Sequence, residues 1–345
     1  MTCMKAMVLN NITNLSENRA PLKLVDLPIP VPINHDILVR VTVCGICHTE
    51  LDEIEGRTPP SQFPIIPGHQ IIGRVEKKGR NAGQFKVGDR VGIAWIHSAC
   101  GNCKFCREGL ENLCNNFLAT GRDADGGYAE YTIVDEDFAY AIPENFADVE
   151  AAPLLCAGAI GYRSLRLTSL KDGENLGLAG FGASAHLVLK MVQHAYPHAN
   201  VYVFTRSDEE RAFARELGVV WAGDISENSP EKLHAVIDTT PAWAPVVRAM
   251  ENLENGGRLI INAIRKEDYD KTALSTFEYA RDLWMEKEIK SVANITRKDV
   301  IEFLKTAAGI GIKPEIQEFP LERANEAILE IKERKIRGAK VLKII

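Results

Sequence analysis

The chain has 345 residues, too many for one typical hydrophobic core, and this length predicts two domains. Its 41 basic and 47 acidic residues give a net charge of -6, and the basic residues are scattered, so the composition does not favour a nucleic-acid or anionic-membrane partner. No apolar run has the length of a signal-peptide core or a membrane span, and we expect a soluble, cytoplasmic protein. In that reducing compartment the eight cysteines are better interpreted as metal ligands than as disulfides.

Short strands separated by Gly, Pro and Asp turns are predicted from Lys5 to about Ala141. The clearest segments are Ile37–Val43, Ile71–Val75 and Val87–Gly92. In the first of them Leu38, Arg40 and Thr42 alternate with β-branched residues, as in a strand with two different faces. This first part of the chain therefore indicates a compact β-barrel.

Cys47 and His69 are predicted to lie on two successive loops of this region. A thiolate and an imidazole are two of the three protein ligands of a catalytic zinc, whose fourth position stays open. Cys156 is the best candidate for the third ligand, because every other downstream cysteine belongs to a tight cluster. The alternative is that the three residues are unrelated, since a free Cys is often simply a small buried hydrophobe.

The strongest single signal is a run of four cysteines within fifteen residues: Cys100, Cys103, Cys106 and Cys114. Four thiolates complete a tetrahedral zinc site without a further donor, so we predict a closed, structural zinc. Gly101 and Gly109 allow the loop to fold back so that the sulfurs converge. A disulfide pair or redox switch is less favoured, and an iron-sulfur cluster remains a smaller alternative.

From about Cys156 the pattern changes to alternating strands and helices. The predicted strand Asn175–Ala179 leads into a G-x-G-x-x-A turn, in which Gly180, Gly182 and Ala183 let a pyrophosphate approach the N-terminus of the following helix. The remaining predicted elements are strands at Val201–Thr205, Ala235–Asp238 and Gly257–Ile261 and a helix at Asp208–Leu217. These elements predict a parallel, doubly wound sheet of the Rossmann type.

The end of the second predicted strand bears on the choice of nicotinamide cofactor. A carboxylate about twenty residues after the glycine turn normally accepts hydrogen bonds from the ribose of NAD, whereas Thr205 stands there in this chain. Arg206 can fork onto a 2′-phosphate, with Ser207 as a further hydroxyl donor, so we expect NADP(H) in preference to NAD(H). Alternatively Arg206 lies along the adenine or points to solvent, and Asp208 or Glu209 partly replaces the missing carboxylate.

Four motifs occur in the order seen in zinc-dependent alcohol dehydrogenases of the medium-chain dehydrogenase/reductase superfamily, which the whole chain resembles. They are Gly45-Ile-Cys-His-Thr-Glu50, Gly68-His69, the four-cysteine run and Leu155-Cys-Ala-Gly158. The resemblance implies a GroES-like catalytic domain at residues 1–155 and 297–345, where the chain tail returns to the barrel. It also implies a Rossmann domain at 156–296 and an active site in the cleft between the two domains.

Further site residues follow from the same resemblance. Thr49 matches the hydroxyl that contacts the substrate oxygen, Glu50 the carboxylate that orients the zinc-bound imidazole, and His48 a basic residue against the cofactor pyrophosphate. The chain departs from the family pattern at three positions. Gln70 replaces a Glu beside the zinc, Asp52 stands where a relay His is often found, and Ala339 replaces a pyrophosphate-binding Arg, for which Arg337 or Lys340 could substitute.

The predicted function is zinc-dependent, reversible hydride transfer between a primary or secondary alcohol, or its aldehyde or ketone, and NAD(P), with two zinc ions per chain. An NADPH-preferring aldehyde reductase is a closely related alternative. A non-catalytic dinucleotide-binding member or a zinc-free reductase of the superfamily is disfavoured, because none of Cys47, His69 and Cys156 is missing. We expect a homo-oligomer, with both a dimer and a tetramer open.

Overall fold

The computed structural model of the protein describes residues 3–333 and 338–345. Contacts between Cα atoms divide the chain into two compact units, residues 1–156 with 296–345 (unit 1) and residues 157–295 (unit 2). The strands, in chain order, are β1 (Cys3–Leu9), β2 (Leu22–Pro28), β3 (Asp36–Ile46), β4 (Gln70–Lys78), β5 (Arg90–Ile93), β6 (Ile96–Ser98), β7 (Leu118–Ala119), β8 (Tyr131–Asp135), β9 (Ala139–Ala141), β10 (Asn175–Ala179), β11 (Asn200–Phe204), β12 (Trp221–Gly223), β13 (Leu233–Asp238), β14 (Leu253–Ile261), β15 (Glu288–Ser291), β16 (Ile316–Pro320) and β17 (Ala339–Lys343).

The α-helices, in chain order, are α1 (His48–Ile54), α2 (Lys104–Arg107), α3 (Asp148–Ala151), α4 (Ala157–Thr168), α5 (Ala183–Ala195), α6 (Asp208–Glu216), α7 (Ala244–Asn252), α8 (Tyr279–Asp282), α9 (Arg297–Ile310) and α10 (Ala324–Lys332). Single 3₁₀ turns occupy Glu111–Leu113, Glu136–Phe138, Ala152–Leu155, Lys271–Thr276 and Leu321–Arg323. Within the described residues no helix is both long and apolar enough to cross a membrane.

Unit 1 is built on a mixed sheet in the order β16-β17-β3-β4-β5-β9, and β8 also pairs with β3. β3 is the centre of this sheet, because it is antiparallel to β4, β8 and β17. The pairing of Gly45 with Gln70 places the loop after β3 beside the turn before β4. Two metal-ligand candidates, Cys47 and His69, are therefore brought together by sheet register alone.

Unit 2 is a six-stranded parallel sheet in the order β12-β11-β10-β13-β14-β15. Numbered within the unit, this order is 3-2-1-4-5-6, that of a Rossmann fold. β10 and β13 lie at the centre, where the strand order reverses and dinucleotides bind outside the carboxyl ends of the strands. The buried strands are almost wholly apolar, as parallel strands covered on both faces must be.

Candidate metal centres and dinucleotide site

Cys47, His69 and Cys156 converge in unit 1 although they are up to 109 positions apart in the sequence. The two sulfurs and one ring nitrogen all lie within 4.8 Å of one another. Cys47 Sγ is 3.7 Å from His69 Nε2. Zn–S and Zn–N bonds of ~2.3 and ~2.0–2.1 Å at the tetrahedral angle require a separation of about 3.6 Å. The donor set and its spacing therefore fit one zinc ion.

Glu50 fixes the orientation of the His69 ring. Its Oε1 lies 2.6 Å from His69 Nδ1, and both side chains are buried. Its Oε2 accepts a hydrogen bond from the backbone N–H of Cys47 at 2.8 Å, which closes a capping box at the start of α1. With the ring proton on Nδ1, facing this carboxylate, Nε2 is the nitrogen that can bind a metal.

The charges around these ligands call for a cation. The adjacent Cys156 sulfur, burial and the charge of Glu50 raise the pKa of the Cys47 thiol well above its ordinary value. Burial lowers the pKa of His69, but the charges of Glu50 and Cys47 outweigh it and raise that pKa well above the usual value. A divalent ion holds both sulfurs as thiolates and keeps the imidazole neutral, which is the state that zinc ligands adopt.

The four-cysteine loop forms a second set of donors. Its sulfurs also lie within 4.8 Å of one another, with Cys100–Cys106 at 3.9 Å and Cys103–Cys106 at 3.5 Å. Four Zn–S bonds of ~2.3 Å in a tetrahedron require S···S distances of about 3.8 Å. Gly101 and Gly109 have φ of +71° and +69°, the left-handed conformation that folds the loop back.

Backbone N–H groups favour the thiolate form within this loop. Those of Asn102 and Cys103 hydrogen-bond to Cys100 and lower the pKa of its thiol to about 6. The N–H of Asn116 donates to Cys114 Sγ at 3.4 Å. Four sulfur ligands leave no open position for a substrate, so the geometry fits a closed metal site.

The other residues predicted to lie near the zinc or the cofactor have the following environments. Thr49 is the second residue of α1 and is partly buried, with its backbone N–H 3.3 Å from Cys47 Sγ. His48, the first residue of α1, is exposed. Asp52 is buried and forms an ion pair with Arg57. Gln70 is also buried, and no described residue is hydrogen-bonded to its Nε2.

The glycine turn of unit 2 connects β10 to α5. Gly180 has a φ of +81°, and a Cβ added to it would lie 2.7 Å from Thr239 Oγ1, so only glycine fits. Gly182 is the N-cap of α5, which begins at Ala183. Ser184 Oγ lies in the first turn of α5, 3.4 Å from Asn262 Nδ2 at the end of β14. The predicted pyrophosphate site is thus a helix N-terminus at the carboxyl edge of a parallel sheet.

At the end of β11 the three predicted residues have different environments. Thr205 is buried, and its hydroxyl donates to the carboxylate of Glu210. Ser207 is the N-cap of α6 and accepts a hydrogen bond from the backbone N–H of Glu210 at 3.2 Å. Arg206 is exposed. Neither the Thr205–Glu210 contact nor the role of Ser207 as a cap was predicted from the sequence, although the predicted helix begins at Asp208, as α6 does.

Lys266 is a further residue of this edge that the sequence did not reveal. Its ammonium group is buried, donates to the carboxylate of Asp238 at the end of β13, and donates to the carbonyls of Thr240 and Ala242 at 2.8 Å each. Asp238 also accepts hydrogen bonds from the backbone N–H and hydroxyl of Thr240. The loop after β13 is therefore fixed beside the glycine turn.

Arg337 and Lys340, near the C-terminus, are the two cations that could replace the missing pyrophosphate-binding Arg. Arg337, predicted as a cofactor ligand, lies outside the described residues. Lys340 is almost fully buried in unit 1, where it contacts Glu330 and Gln317 and lies 5.2 Å from the ring centroid of Phe319. It therefore contributes to the packing of β17 against α10.

Comparison with known proteins agrees with the fold. The family model of the alcohol dehydrogenase GroES-like domain matches residues 33–144. The chain is 41% identical over 329 residues to a probable alcohol dehydrogenase, AdhA, of Mycobacterium tuberculosis, covering 94% of this chain and 93% of that protein. It is 32% identical over 350 residues to an alcohol dehydrogenase of Geobacillus stearothermophilus, covering 99% of each. A cinnamyl alcohol dehydrogenase structure from Sorghum bicolor superposes with a TM-score of 0.82 at 24% identity, over 99% of this chain and 98% of that one.

Proposed function

Because the chain belongs to the zinc-dependent alcohol dehydrogenase family of the medium-chain dehydrogenase/reductase superfamily, we propose that Cys47, His69 and Cys156 bind the catalytic zinc. The enzyme transfers hydride reversibly between an alcohol and a nicotinamide cofactor, and it uses zinc. The proposal rests on one observation, the convergence of two sulfurs and an imidazole nitrogen within 4.8 Å. The other four clustered cysteines are proposed to bind a structural zinc.

The residues of the site have distinct proposed roles. When bound, zinc supplies Lewis acidity, which polarises the substrate oxygen and lowers the pKa of an alcohol. Glu50 holds the His69 ring and stabilises positive charge at the site, through the contact of 2.6 Å with Nδ1. Thr49 supplies the hydroxyl that exchanges a proton with the substrate oxygen. The turn at Gly180, Gly182 and Ala183 binds the cofactor pyrophosphate.

Beyond Thr49 the proton path in this chain differs from one that ends on a histidine. Asp52, which also lies in α1, is buried and forms an ion pair with Arg57, whose side chain is about one-third exposed. We therefore propose that Asp52 and Arg57 order the start of the path, and that solvent accepts the proton beyond them.

The assignment is tested by removing one ligand from each cysteine set. Cys47→Ala is expected to lower kcat/KM more than about 100-fold, beyond the loss typical of residues that only orient a ligand, while cofactor binding is kept. Cys103→Ala is expected to lower stability and soluble yield first. Cys3→Ala, at the exposed cysteine, is the matched control and keeps turnover. Near-normal turnover of Cys47→Ala with an aliphatic and aromatic alcohol panel would refute the catalytic assignment.

For the cofactor we propose that NADP(H) is preferred and that NAD(H) is also used. Arg206 is exposed directly after β11, the position that receives the adenosine ribose in Rossmann units, and Thr205 does not repel a phosphate. Arg206→Ala is expected to reduce kcat/KM for NADP more than for NAD, by about tenfold or more, because a charge-assisted fork to phosphate is lost. A wild-type preference for NAD that Arg206→Ala leaves unchanged would contradict this.

We also propose that the enzyme is a homo-oligomer in which unit 2 pairs with a second copy. β15 forms the outer edge of the described sheet, and all four of its residues are exposed. Trp284, Met285 and Ile289 add exposed apolar surface there. Light scattering after size-exclusion chromatography should show a smaller species for Ile289→Lys. The same change at Ile301 of α9, which is also exposed, is the control and should leave the size unaltered.

A further inference from the structure

Glu210 is held beside the end of β11 by two contacts, one to its carboxylate and one to its backbone N–H. The hydroxyl of Thr205 donates to its Oε2, and the hydroxyl of Ser207 accepts from its backbone N–H at 3.2 Å. Thr205 is itself fixed, because it is buried and its backbone N–H donates to Gly223 O at 3.0 Å. Glu210 thus presents a fixed negative charge at this end of the strand, although it is five residues beyond the position where an acidic residue was expected.

The nearby cation that could neutralise this charge is already occupied. The guanidinium of Arg211 donates to the Thr205 carbonyl at 2.6 Å, forms an ion pair with Asp208 and lies 3.5 Å from Asp224 Oδ2. Its positive charge is therefore shared between two other carboxylates. The cation left exposed beside Thr205 is Arg206.

Glu210 and Arg206 place opposite charges at the end of β11, where the ribose of the cofactor is proposed to bind. A ribose 2′-hydroxyl can donate to a carboxylate, whereas a 2′-phosphate carries about -1.5 to -2 charges at neutral pH and is repelled by one. Arg206 acts in the opposite direction, because a guanidinium attracts phosphate. We propose that Glu210 is a specificity-determining residue that weakens NADP(H) binding relative to NAD(H) and so limits the preference set by Arg206. This inference rests on the proposed cofactor site at the end of β11.

The test is a direct binding measurement with Glu210→Gln. The amide keeps an oxygen that can accept from Thr205, so this contact is preserved while the charge is removed. Dissociation constants for NADPH and NADH are measured by the fluorescence of the bound reduced cofactor, without substrate. We expect the ratio Kd(NADH)/Kd(NADPH) to rise on the order of tenfold, as expected for loss of one unit charge a few ångströms from a phosphate.

Glu209→Gln is the matched control. It removes the same charge from the preceding residue, whose side chain is exposed. It should change the ratio by less than about twofold, since exposed charges are screened by solvent and salt. An unchanged ratio in Glu210→Gln, or an equal change in both variants, would overturn the inference. Failure of the NADP(H) preference itself is recognised separately, because the wild-type ratio and Arg206→Ala report on it whatever Glu210 does.

Discussion

At the scale of single residues, the contact between Glu50 and His69 connects the start of α1 to the metal set. Both side chains are almost without solvent access, so their charges interact strongly. The carboxylate also binds the Cys47 backbone N–H. One side chain therefore orients two of the three proposed zinc ligands.

Glu50→Gln is expected to weaken zinc affinity and kcat/KM by about 10–100-fold each, because an amide orients the imidazole less strongly and adds no negative charge. Glu50→Asp keeps the charge on a shorter side chain and should lose less. Zinc affinity is measured by competition with a coloured chelator, and turnover by cofactor absorbance. Wild-type zinc affinity in Glu50→Gln would show that Glu50 acts only in the capping box of α1.

The limits of sequence interpretation are also clearest at this scale. Cys47, His69 and Cys156 could be proposed as a set because metal chemistry restricts their residue types and because the family motifs are short. The partners of Asp52, Lys340 and Glu210 could not, because each is fixed by a side chain that no spacing rule relates to it. Arg57 and Glu330 belong to no motif in the sequence, and Thr205 was predicted only as a contact of the cofactor ribose.

At the scale of elements, periodicity located the strands but not always their faces. The predicted strand Asn175–Ala179 is β10 without a shift, and the predicted 37–43 strand lies within β3. The alternation within β3 was only partly right, because Leu38 is buried like its neighbours on both sides. Ile37, Leu38 and Val39 are all buried, so both faces of β3 are covered at this point. Short β12 and the exposed edge strand β15 lack an apolar pattern and were not predicted.

The buried ion pair between Asp238, at the end of β13, and Lys266, in the loop after β14, provides a prediction at this scale. Burial raises the pKa of Asp238, and the charge of Lys266 opposes that effect. Lys266→Met leaves the carboxylate buried without its cation and is expected to lower the free energy of unfolding by about 3–5 kcal/mol. Adding Asp238→Asn should restore a large part of this loss. Urea unfolding of the single and double variants measures the coupling.

A cofactor-binding measurement tests whether this ion pair does more than stabilise the fold. The loop fixed by Lys266 carries Thr239, whose hydroxyl donates to Ala179 O at 3.0 Å beside the glycine turn. In the double variant we expect NADPH binding to stay weaker than in wild type even where stability is largely restored. Full recovery of both quantities would limit Lys266 to a structural role.

At the scale of the whole molecule, composition and length indicated two domains, but only the family resemblance predicted that the chain tail returns to the barrel. The observation behind that return is local pairing: β17 is antiparallel to β3 with Leu342 opposite Cys44. Such pairing between residues 298 positions apart leaves no periodic trace in either segment. The predicted combination of a GroES-like barrel and a Rossmann sheet is confirmed by the sheet topology and by the relatives.

The two proposed zinc sites should respond differently to metal removal in the intact protein. The four-cysteine set has no open position, whereas the set of Cys47, His69 and Cys156 offers three donors and leaves one position for substrate or water. A mild chelator is therefore expected to remove one zinc per chain first, with loss of turnover but little change in the melting temperature. Removal of the second should need stronger chelation or denaturant and should be accompanied by unfolding, because metal affinity in a closed site contributes directly to stability. Elemental analysis, activity and thermal unfolding followed on the same samples distinguish the two steps. A single zinc per chain in fully active protein, or simultaneous loss of both ions and of activity, would contradict this assignment.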